Sequence, residues 1–277
     1  MSSDRLNVLS AKEKYWLYEN SVQYPQFDID FFVKEYRYFY KSDPRILCED
    51  FCGTGNFSCE WVKNHPQNVA NSVDIDPLPI SYGKEHHLAS LNPDQRKRLN
   101  YIEQDVVKYH LHMHKADIVS ALNYAVCFFK RRKNLLEYFS SVKKSMHAKS
   151  LFIMDAFGGE QSQLPNEEDT EHDDDKFIYH WECHTFNPIT NEGIYKIHYT
   201  KQSGSGSENK RYQDVFVYDW RLWSIAELKE LLLEAGFSKV HCYWEGDDED
   251  GGGDGNFVIT EVAENCDSWN CYLVAQP

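Results

Sequence analysis

Residues 46–58, with the sequence ILCEDFCGTGNFS, contain the side chains and glycines best suited to binding a ligand. An apolar start leads into two acids, then into Gly53 and Gly55, and then into a segment of helical character. A strand, a glycine turn and a helix in this order let backbone N–H groups and a helix N-terminus face a ligand closely. Glycine permits backbone conformations that a Cβ atom would block. The stretch therefore predicts a cofactor site, and the alternative is a tight turn without a ligand.

The acids before the glycines indicate the charge of that ligand. Dinucleotide-binding folds use a G-x-G-x-x-G pattern, whose third glycine allows close packing of helix on strand. Ser58 stands at that third position here, and Glu49 and Asp50 lie at the end of the predicted strand. Carboxylates at this place favour a cationic ligand over a pyrophosphate.

The stretch resembles motif I of the class I S-adenosylmethionine-dependent methyltransferases, whose usual form is hydrophobic-acidic-x-G-x-G-T-G. Residues 52–55, CGTG, correspond to the end of that motif and place Glu49 at its acidic position. Phe51 stands where the family usually has its first glycine. The segments YENSVQ, EDFCGTG, DWRLW and EAGF also resemble a set of largely uncharacterised methyltransferase-like proteins, and this resemblance discloses no substrate.

The resemblance implies S-adenosylmethionine as the cofactor and S-adenosylhomocysteine as its product. Glu49 would hold the methionine amino end, partly through water, and the two glycines would shape the loop. Asp74 would bind the ribose and Asp105 the adenine amino group. The predicted cofactor-binding residues are Glu49, Phe51, Gly53, Gly55, Asp74, Ile75, Asp105, Val106 and Asn123.

Two of these acids have alternative explanations. Asp74 lies 19 residues after Gly55, at the end of the second predicted strand. Nucleoside-cofactor folds place a ribose-binding acid about 20 residues beyond the glycine loop. A helix N-cap before Pro77 is the alternative, and Asp76 fits that function better. For Asp105 the alternative is an acid in a surface turn.

Acceptor contacts are predicted first at Asn123 and Tyr124, which follow a nearly all-apolar predicted strand at 117–122. This is the position of the family's motif IV, where substrate meets the methyl group. Asn123 could orient a nucleophile and Tyr124 could form a pocket wall; alternatively, Asn123 only caps the turn.

A second set of candidates comes from the predicted strand at 177–186. Period-two spacing puts His180, Glu182 and His184 on one face and Tyr179 and Trp181 on the other. The polar face could contact substrate or supply a general base, which a hydroxyl acceptor needs. It could instead hold iron or zinc, or face solvent. The predicted catalytic residues are Asn123, Tyr124, His180 and Glu182; the predicted substrate contacts are Tyr18 and Trp220; and no metal is expected.

Strands and helices alternate from residue 46 to about residue 160, which predicts a parallel sheet with right-handed crossovers. We predict an α/β fold: a doubly wound, seven-stranded, mostly parallel sheet with helices on both faces. Residues 1–45 would form an N-terminal helical lid, or simply a packing helix, with Asp28 as a helix cap. The core would comprise 46–160 and 214–277, and 161–213 would be an antiparallel β insertion that covers the substrate.

Charge and composition limit the function classes. The net charge is −15, but seven acids lie in 167–175 and five in 247–254, so the remaining chain carries only −3. These runs predict two solvated acidic loops, and no basic face for nucleic acid is expected.

The eight cysteines contain no CxxC pair, which favours reduced thiols over a disulfide framework. Without a signal peptide or membrane span, a cytoplasmic monomer or homodimer is expected.

These features together predict methyl transfer from S-adenosylmethionine to a small-molecule nitrogen or oxygen. The alternatives are a protein or RNA methyltransferase and a non-catalytic S-adenosylmethionine-binding module. A dinucleotide-dependent oxidoreductase is the remaining alternative.

Overall fold

The structure is a computed structural model that describes residues 8–112, 115–172, 176–202, 209–247 and 253–277. Parts of the two predicted acidic loops, 173–175 and 248–252, lie outside the described residues, as do 203–208 of the predicted serine–glycine loop. Within the described residues, no helix is both long and apolar enough to span a membrane.

Eight strands of the described chain form the main sheet, in the order β11-β10-β12-β5-β4-β1-β2-β3. Strands β3, β2, β1, β4 and β5 run parallel to one another. Strand β12 runs antiparallel between β5 and β10. The strands are β1 (Ile46–Asp50), β2 (Val69–Asp74), β3 (Leu99–Glu103), β4 (Ile118–Ala121), β5 (Leu151–Gly158), β10 (Lys239–Asp247), β11 (Gly253–Ile259) and β12 (Trp269–Gln276).

The predicted doubly wound sheet is confirmed, but it has eight strands instead of seven. The additional strand is β11, which pairs antiparallel with β10 at the sheet edge. Its sequence, GDGNFVI, begins in what the charge pattern predicted to be a solvated loop. An edge strand is paired on one side only and tolerates such polar residues.

Helices cover both faces of this sheet, and alternate residues of its strands enter two separate cores. Leu47 packs with residues of α2 and α3 in one core, and Cys48 packs with residues of α7 and α8 in the other. The helices are α1 (Ala11–Val22), α2 (Pro25–Tyr40), α3 (Asn56–Asn64), α4 (Pro77–Gly83), α5 (Pro93–Arg96), α6 (Val106–His110), α7 (Arg132–Ser145) and α8 (Ile225–Glu234). A π-helical turn, Lys84–Leu88, extends α4.

The insertion forms a second, four-stranded antiparallel sheet in the order β6-β7-β8-β9. Its strands are β6 (Asn166–His172), β7 (Phe177–Asn187), β8 (Glu192–Lys201) and β9 (Lys210–Arg221). The predicted hairpin and third strand are confirmed. Strand β6 was expected to be part of an acidic loop; that expectation is wrong, because β6 pairs with β7 over its whole length.

Asp28 does not cap a helix, contrary to the sequence prediction. Helix α2 begins three residues earlier, with Pro25 at its first position, where proline's fixed φ suits a helix start. Asp28 lies in the first turn, and its carboxylate accepts a hydrogen bond from the Tyr272 hydroxyl at 2.6 Å. The helix therefore places this carboxylate against Tyr272 of β12.

Candidate active site

A cavity of about 460 Å³ lies at the carboxyl ends of β1, β4 and β5. Glu49, Asp155 and Tyr272 line it from the sheet, on the face covered by α2 and α3. Residues 21–25, which connect α1 to α2, and Asp28 line it from the opposite side. Ligands of doubly wound sheets bind outside the carboxyl ends of the strands. We therefore place the candidate site here and call this space the larger cavity.

The loop after β1 contains three residues with positive φ. Gly53 has φ 54° and Gly55 has φ 69°, which accounts for glycine at both positions. Phe51, at the family's usual first glycine, also has a left-handed backbone with φ 56°. Its ring packs edge-on against Phe129 and Tyr138, at centroid distances of 6.0 and 5.5 Å. The chain thus keeps the loop conformation without that glycine, and aromatic packing offsets the backbone strain.

The same loop is packed tightly against α4 and β3. A Cβ atom on Gly55 would lie 2.6 Å from a ring carbon of Tyr101. The Tyr101 hydroxyl donates a hydrogen bond to the Thr54 carbonyl oxygen at 2.8 Å. A Cβ atom on Gly83 of α4 would collide with that same carbonyl oxygen. At Gly55 the loop therefore has no space for a larger side chain.

Asp74 connects the end of β2 to the glycine loop. Its carboxylate accepts hydrogen bonds from the backbone N–H groups of Gly53 at 2.8 Å and Asp76 at 2.9 Å. Asp76 is the N-cap of α4, accepting from the Leu78 N–H, as the sequence indicates. Ile75 between them is 68% exposed. The role of Asp74 as a ribose ligand stays a prediction, but the acid lies beside the loop as that role requires.

Asp105 is the N-cap of α6 and accepts a hydrogen bond from the Lys108 N–H at 3.1 Å. Val106, the next residue, is buried against the sheet. Neither residue lines the larger cavity. Capping alone accounts for an acid at position 105, so its contact with adenine stays a prediction.

The two acids at the end of β1 face opposite sides of the sheet. Glu49 lines the larger cavity and accepts hydrogen bonds from the N–H and hydroxyl of Ser58. Burial raises the pKa of Glu49 to about 8. Asp50 points the other way, into a buried network with His110 at 2.7 Å and Tyr138 at 2.8 Å. Of these two acids, only Glu49 therefore faces the larger cavity.

Asp155, which the sequence analysis missed, organises the turn after β4. Its carboxylate accepts hydrogen bonds from the backbone N–H groups of Asn123 at 2.7 Å and Tyr124 at 2.8 Å. Both of those residues have positive φ, 57° and 58°, which is unfavourable for side chains other than glycine. Burial raises the pKa of Asp155 to about 7. An acid near the end of a buried strand was the only available sequence signal, and its partners are contributed by another strand.

A second cavity of about 200 Å³ adjoins the first. We call it the smaller cavity; it lies between the end of β5 and the insertion sheet. Tyr124, Tyr179 and Asn270 line both cavities, and the Tyr124 hydroxyl donates to the Asn270 side-chain oxygen at 2.6 Å. Phe157 and Trp181 add aromatic walls to the smaller cavity. Two ligands bound in the two cavities would meet at this junction.

The described lining of both cavities is acidic. Asp28, Glu49, Asp155 and Glu245 line the larger cavity and Glu168 lines the smaller one. No lysine, arginine or histidine is among the described residues that line either cavity. Burial also raises the pKa of Asp28, to about 6. Several carboxylates in a partly enclosed space, with no cationic side chain among its described lining, favour cationic ligands.

His180 and Glu182 lie on the face of β7 opposite to the cavities. The His180 ring contacts Asp169 at 2.5 Å and Thr200 at 2.8 Å. Glu182 contacts His198, whose other nitrogen accepts a hydrogen bond from the Asp214 N–H. The predicted alternation is confirmed, but the cavity faces the aromatic side, Tyr179 and Trp181. The structure therefore does not place His180 or Glu182 where they could catalyse a reaction in these cavities.

The outer face of β7 also offers little to a metal ion through His198. Because its Nδ1 atom accepts the backbone N–H, the proton of the neutral ring lies on Nε2, the nitrogen nearest Glu182. A metal would have to displace that proton. We interpret these side chains as a hydrogen-bonded network that stabilises the insertion sheet.

His180→Ala is expected to destabilise the protein without changing catalysis. His180 is buried, and its loss removes two hydrogen bonds, for a decrease of about 1–3 kcal/mol in the free energy of unfolding. Urea denaturation measures this change, and steady-state kinetics should stay within about twofold of wild type. A folded variant with a strongly reduced kcat would contradict the placement of His180 away from the site.

Tyr18 and Trp220, the predicted substrate contacts, do not line either cavity. Tyr18 of α1 packs on Phe216 at a centroid distance of 4.9 Å, and burial raises its pKa well above the usual value. Trp220 is buried, stacks on Tyr218 at 4.4 Å and meets Tyr124 edge-on at 6.3 Å. Trp220 therefore supports a cavity wall from behind instead of contacting a ligand.

The N-terminal helix is attached directly to the glycine loop. Glu19 of α1 accepts a hydrogen bond from the Thr54 hydroxyl and contacts His87 at 2.6 Å. The Asn56 side chain donates to Gln23 at 3.1 Å. With residues 21–25 also lining the larger cavity, this arrangement supports the hypothesis that residues 1–45 form a lid; residues 1–7 lie outside the described chain.

No protein-family model matches the chain, and no curated protein matches its sequence. Solved structures do match. The chain is similar to an S-adenosylmethionine-dependent methyltransferase from Clostridium acetobutylicum, with a TM-score of 0.64 and 15% identity over 95% of this chain and 98% of that chain. It is also similar to DesVI of Streptomyces venezuelae, with a TM-score of 0.66 and 14% identity over 98% and 99% of the two chains.

A third similar structure is S-adenosylmethionine-bound CalS10, an amino pentose methyltransferase from Micromonospora echinaspora. Its TM-score is 0.65 at 9% identity, over 98% of this chain and 99% of that chain. At such low identities the similarity establishes the fold and not the substrate. The chain therefore has the fold of the class I S-adenosylmethionine-dependent methyltransferases, as residues 46–58 predict.

Proposed function

We propose that this protein transfers a methyl group from S-adenosylmethionine to an amine of a small molecule. The observation that carries the proposal is the pair of adjoining cavities, which share Tyr124, Tyr179 and Asn270. One is lined by Glu49 and Phe57, which flank the glycine loop, and the other lies under the insertion sheet. A two-substrate transfer requires such a meeting point. The fold and the motif at 46–58 supply the identity of the donor.

The residues present fit this cofactor. S-adenosylmethionine carries two positive centres, and the described lining of the larger cavity has four carboxylates and no cationic side chain. In our proposal Glu49 faces the amino end of the cofactor, and Asn123 lies beside it at the cavity wall. Asp74 binds the ribose next to Ile75, and Asp105 and Val106 lie at the adenine end, with Gly53 and Gly55 giving the loop its shape.

When bound, the cofactor supplies an electrophilic methyl carbon: the lone pair of the amine forms a C–N bond with this carbon, the C–S bond breaks, and the electrons of the broken bond go to sulfur. The chain's contribution is to position the acceptor and exclude water. Tyr124, fixed by Asp155 and by its hydrogen bond to Asn270, forms the wall at the junction. The proton of the methylated amine then leaves to solvent or to a carboxylate of the site.

Nitrogen is favoured over oxygen as the methylated atom. A hydroxyl acceptor needs a general base, and histidine is the side chain best suited to that function near neutral pH. No histidine is among the described residues of either cavity lining. A neutral amine needs little base, and the acidic lining attracts amines. The similarity to an amino pentose methyltransferase agrees with this choice.

The proposal is tested by incubating the protein with S-adenosylmethionine and a panel of small amines and matched alcohols. We expect S-adenosylhomocysteine and a methylated amine, both detected by mass spectrometry, and no methylated alcohol. Cofactor binding without any product across the panel would favour a non-catalytic binding module. Transfer only to protein or RNA would contradict the small-molecule acceptor.

Cofactor binding is expected to release protons near neutral pH. Burial raises the pKa of Asp155 to about 7 and that of Glu49 to about 8, so both are partly protonated in the free protein. A bound cation favours the ionised carboxylates and lowers both pKa values, so binding should tighten as pH rises from about 6 to about 8.5. Calorimetry in buffers of different ionisation enthalpy counts the released protons.

The direction of this pH dependence is diagnostic. The same raised pKa values make the free protein lose stability as pH rises through this window, because the folded state binds more protons than the unfolded state. Proton uptake on cofactor binding, or tighter binding at low pH, would contradict a cationic ligand beside these acids.

A further inference from the structure

Strand β6 divides the acidic run at 166–172 between two environments. Asn166, Glu168 and Thr170 line the smaller cavity. Glu167 and Asp169, at the alternate positions, belong to the outer face of the insertion sheet, where they contact Arg211 at 2.5 Å and His180 at 2.5 Å respectively. Composition alone cannot show which of these acids face the cavity and which face outward, whereas the two-residue period of a strand assigns alternate residues to opposite faces.

Glu168 differs from its neighbours in having no ion-pair partner among the described residues. On the outer face, Glu167 forms an ion pair with Arg211, and the Asp169 carboxylate lies against the His180 ring. Glu168 lies directly opposite Trp181 in the β6–β7 pairing, and both side chains line the smaller cavity together with Tyr124 and Phe157. A carboxylate beside aromatic rings is the usual composition of a site for an organic ammonium ion.

The position of Glu168 separates it from the junction of the two cavities. Tyr179, at the junction, is two residues from Trp181 along β7, on the same face. That spacing corresponds to about 7 Å along a strand. A group held by Glu168 is therefore several bonds away from an atom that lies between Tyr124 and Tyr179.

We propose that Glu168, with Trp181, binds a cationic group of the acceptor that is distinct from the nitrogen being methylated. The reacting nitrogen must be neutral, because it attacks with its lone pair, so a charge that the carboxylate recognises has to lie elsewhere in the molecule. The acceptor class is then a diamine, or an amine bearing a second ammonium centre at about 7 Å. This inference rests on the proposed function for the identity of the acceptor but not for the existence of the cation site.

The cation site is tested with tetramethylammonium, which cannot itself accept a methyl group. Its binding is measured by calorimetry or ligand-observed NMR at low salt, without S-adenosylmethionine, on wild type, Glu168→Gln and Glu167→Gln. Both variants remove one acid from β6, and only the first faces the cavity. We expect Glu168→Gln to weaken binding about tenfold and Glu167→Gln to leave it unchanged.

Equal binding by wild type and Glu168→Gln, equal weakening by both variants, or no binding by wild type would each overturn the assignment. A separate titration with S-adenosylmethionine reports on the proposed function, so the two claims fail independently.

In a turnover assay, Glu168→Gln should raise KM for a diamine about tenfold with little change in kcat, while KM for a matched monoamine stays the same. A fall in kcat for both substrates would indicate a structural effect instead.

Discussion

Replacing Asp155 with asparagine is expected to lower the free energy of unfolding by about 2–4 kcal/mol and kcat/KM by about 100-fold or more. The Asp155 carboxylate accepts two backbone N–H groups, from Asn123 and Tyr124. An asparagine side chain has one oxygen, so its NH2 group would face one of these donors. The left-handed backbone of both residues, already unfavourable, would lose the contact that holds it.

The catalytic effect follows from Tyr124, because this residue lines both cavities and moves with the turn. Displacing it by about 1 Å is enough for a 100-fold loss in rate. Urea denaturation and steady-state kinetics at a fixed pH measure the two effects.

Asp28→Asn is the matched control for the Asp155 variant. Asp28 faces the same cavity and also has a raised pKa, but it accepts one hydrogen bond, from the Tyr272 hydroxyl, which an amide oxygen can replace. We expect a change in stability within about 1 kcal/mol. If the two variants behave alike, Asp155 has no special function in the turn.

Gly55→Ala is expected to weaken S-adenosylmethionine binding by about 30-fold or more. An alanine at φ 69° is strained by about 1–2 kcal/mol, and its Cβ atom would also lie 2.6 Å from the Tyr101 ring. The loop would relieve both problems by moving, and binding would have to reverse that movement. Calorimetric titration measures the loss in affinity.

Gly53→Ala separates backbone strain from steric collision. Gly53 also has positive φ, but a Cβ atom there meets nothing within 4 Å. We expect a loss of affinity of at most about tenfold. A larger effect at Gly53 than at Gly55 would show that the close packing on Tyr101 does not control the shape of the loop.

The sequence predicts the structure of the glycine loop better than that of the turn after β4, for a physical reason. Gly53, Gly55 and Asp74 belong to one continuous strand–loop–helix–strand segment, so their spacing along the chain determines their spacing in space. The contacts of Asp155 with Asn123 and Tyr124 join residues that are 32 and 31 positions apart in the sequence. Nothing in local spacing indicates that this carboxylate turns toward another strand's loop.

His180 illustrates a different limit. Period-two alternation along β7 is correct, but alternation alone does not say which face meets the substrate. The polar face carries the side chains capable of acid–base chemistry, so the sequence favours it as the side that meets the substrate. The structure instead buries His180 in hydrogen bonds to Asp169 and Thr200 and turns Trp181 to the cavity. Aromatic residues face the interior because burying them is favourable.

Strands β6 and β11 were missed because their composition is typical of loops. Both are edge strands of their sheets, where charged residues protect the unpaired side from aggregation.

Three further expectations stay predictions: the division of the chain into lid, core and insertion, the cytoplasmic location, and the oligomeric state.

The most direct test of the central claim is calorimetric titration of the protein with S-adenosylmethionine, compared with Asp74→Asn and Asp76→Asn. Both acids follow β2, but only Asp74 contacts the glycine loop, while Asp76 caps α4, a function that asparagine also performs. We predict micromolar binding by wild type and Asp76→Asn and about tenfold or greater weakening by Asp74→Asn. Absence of binding by folded wild-type protein, or equal binding by all three, would contradict the proposed cofactor site.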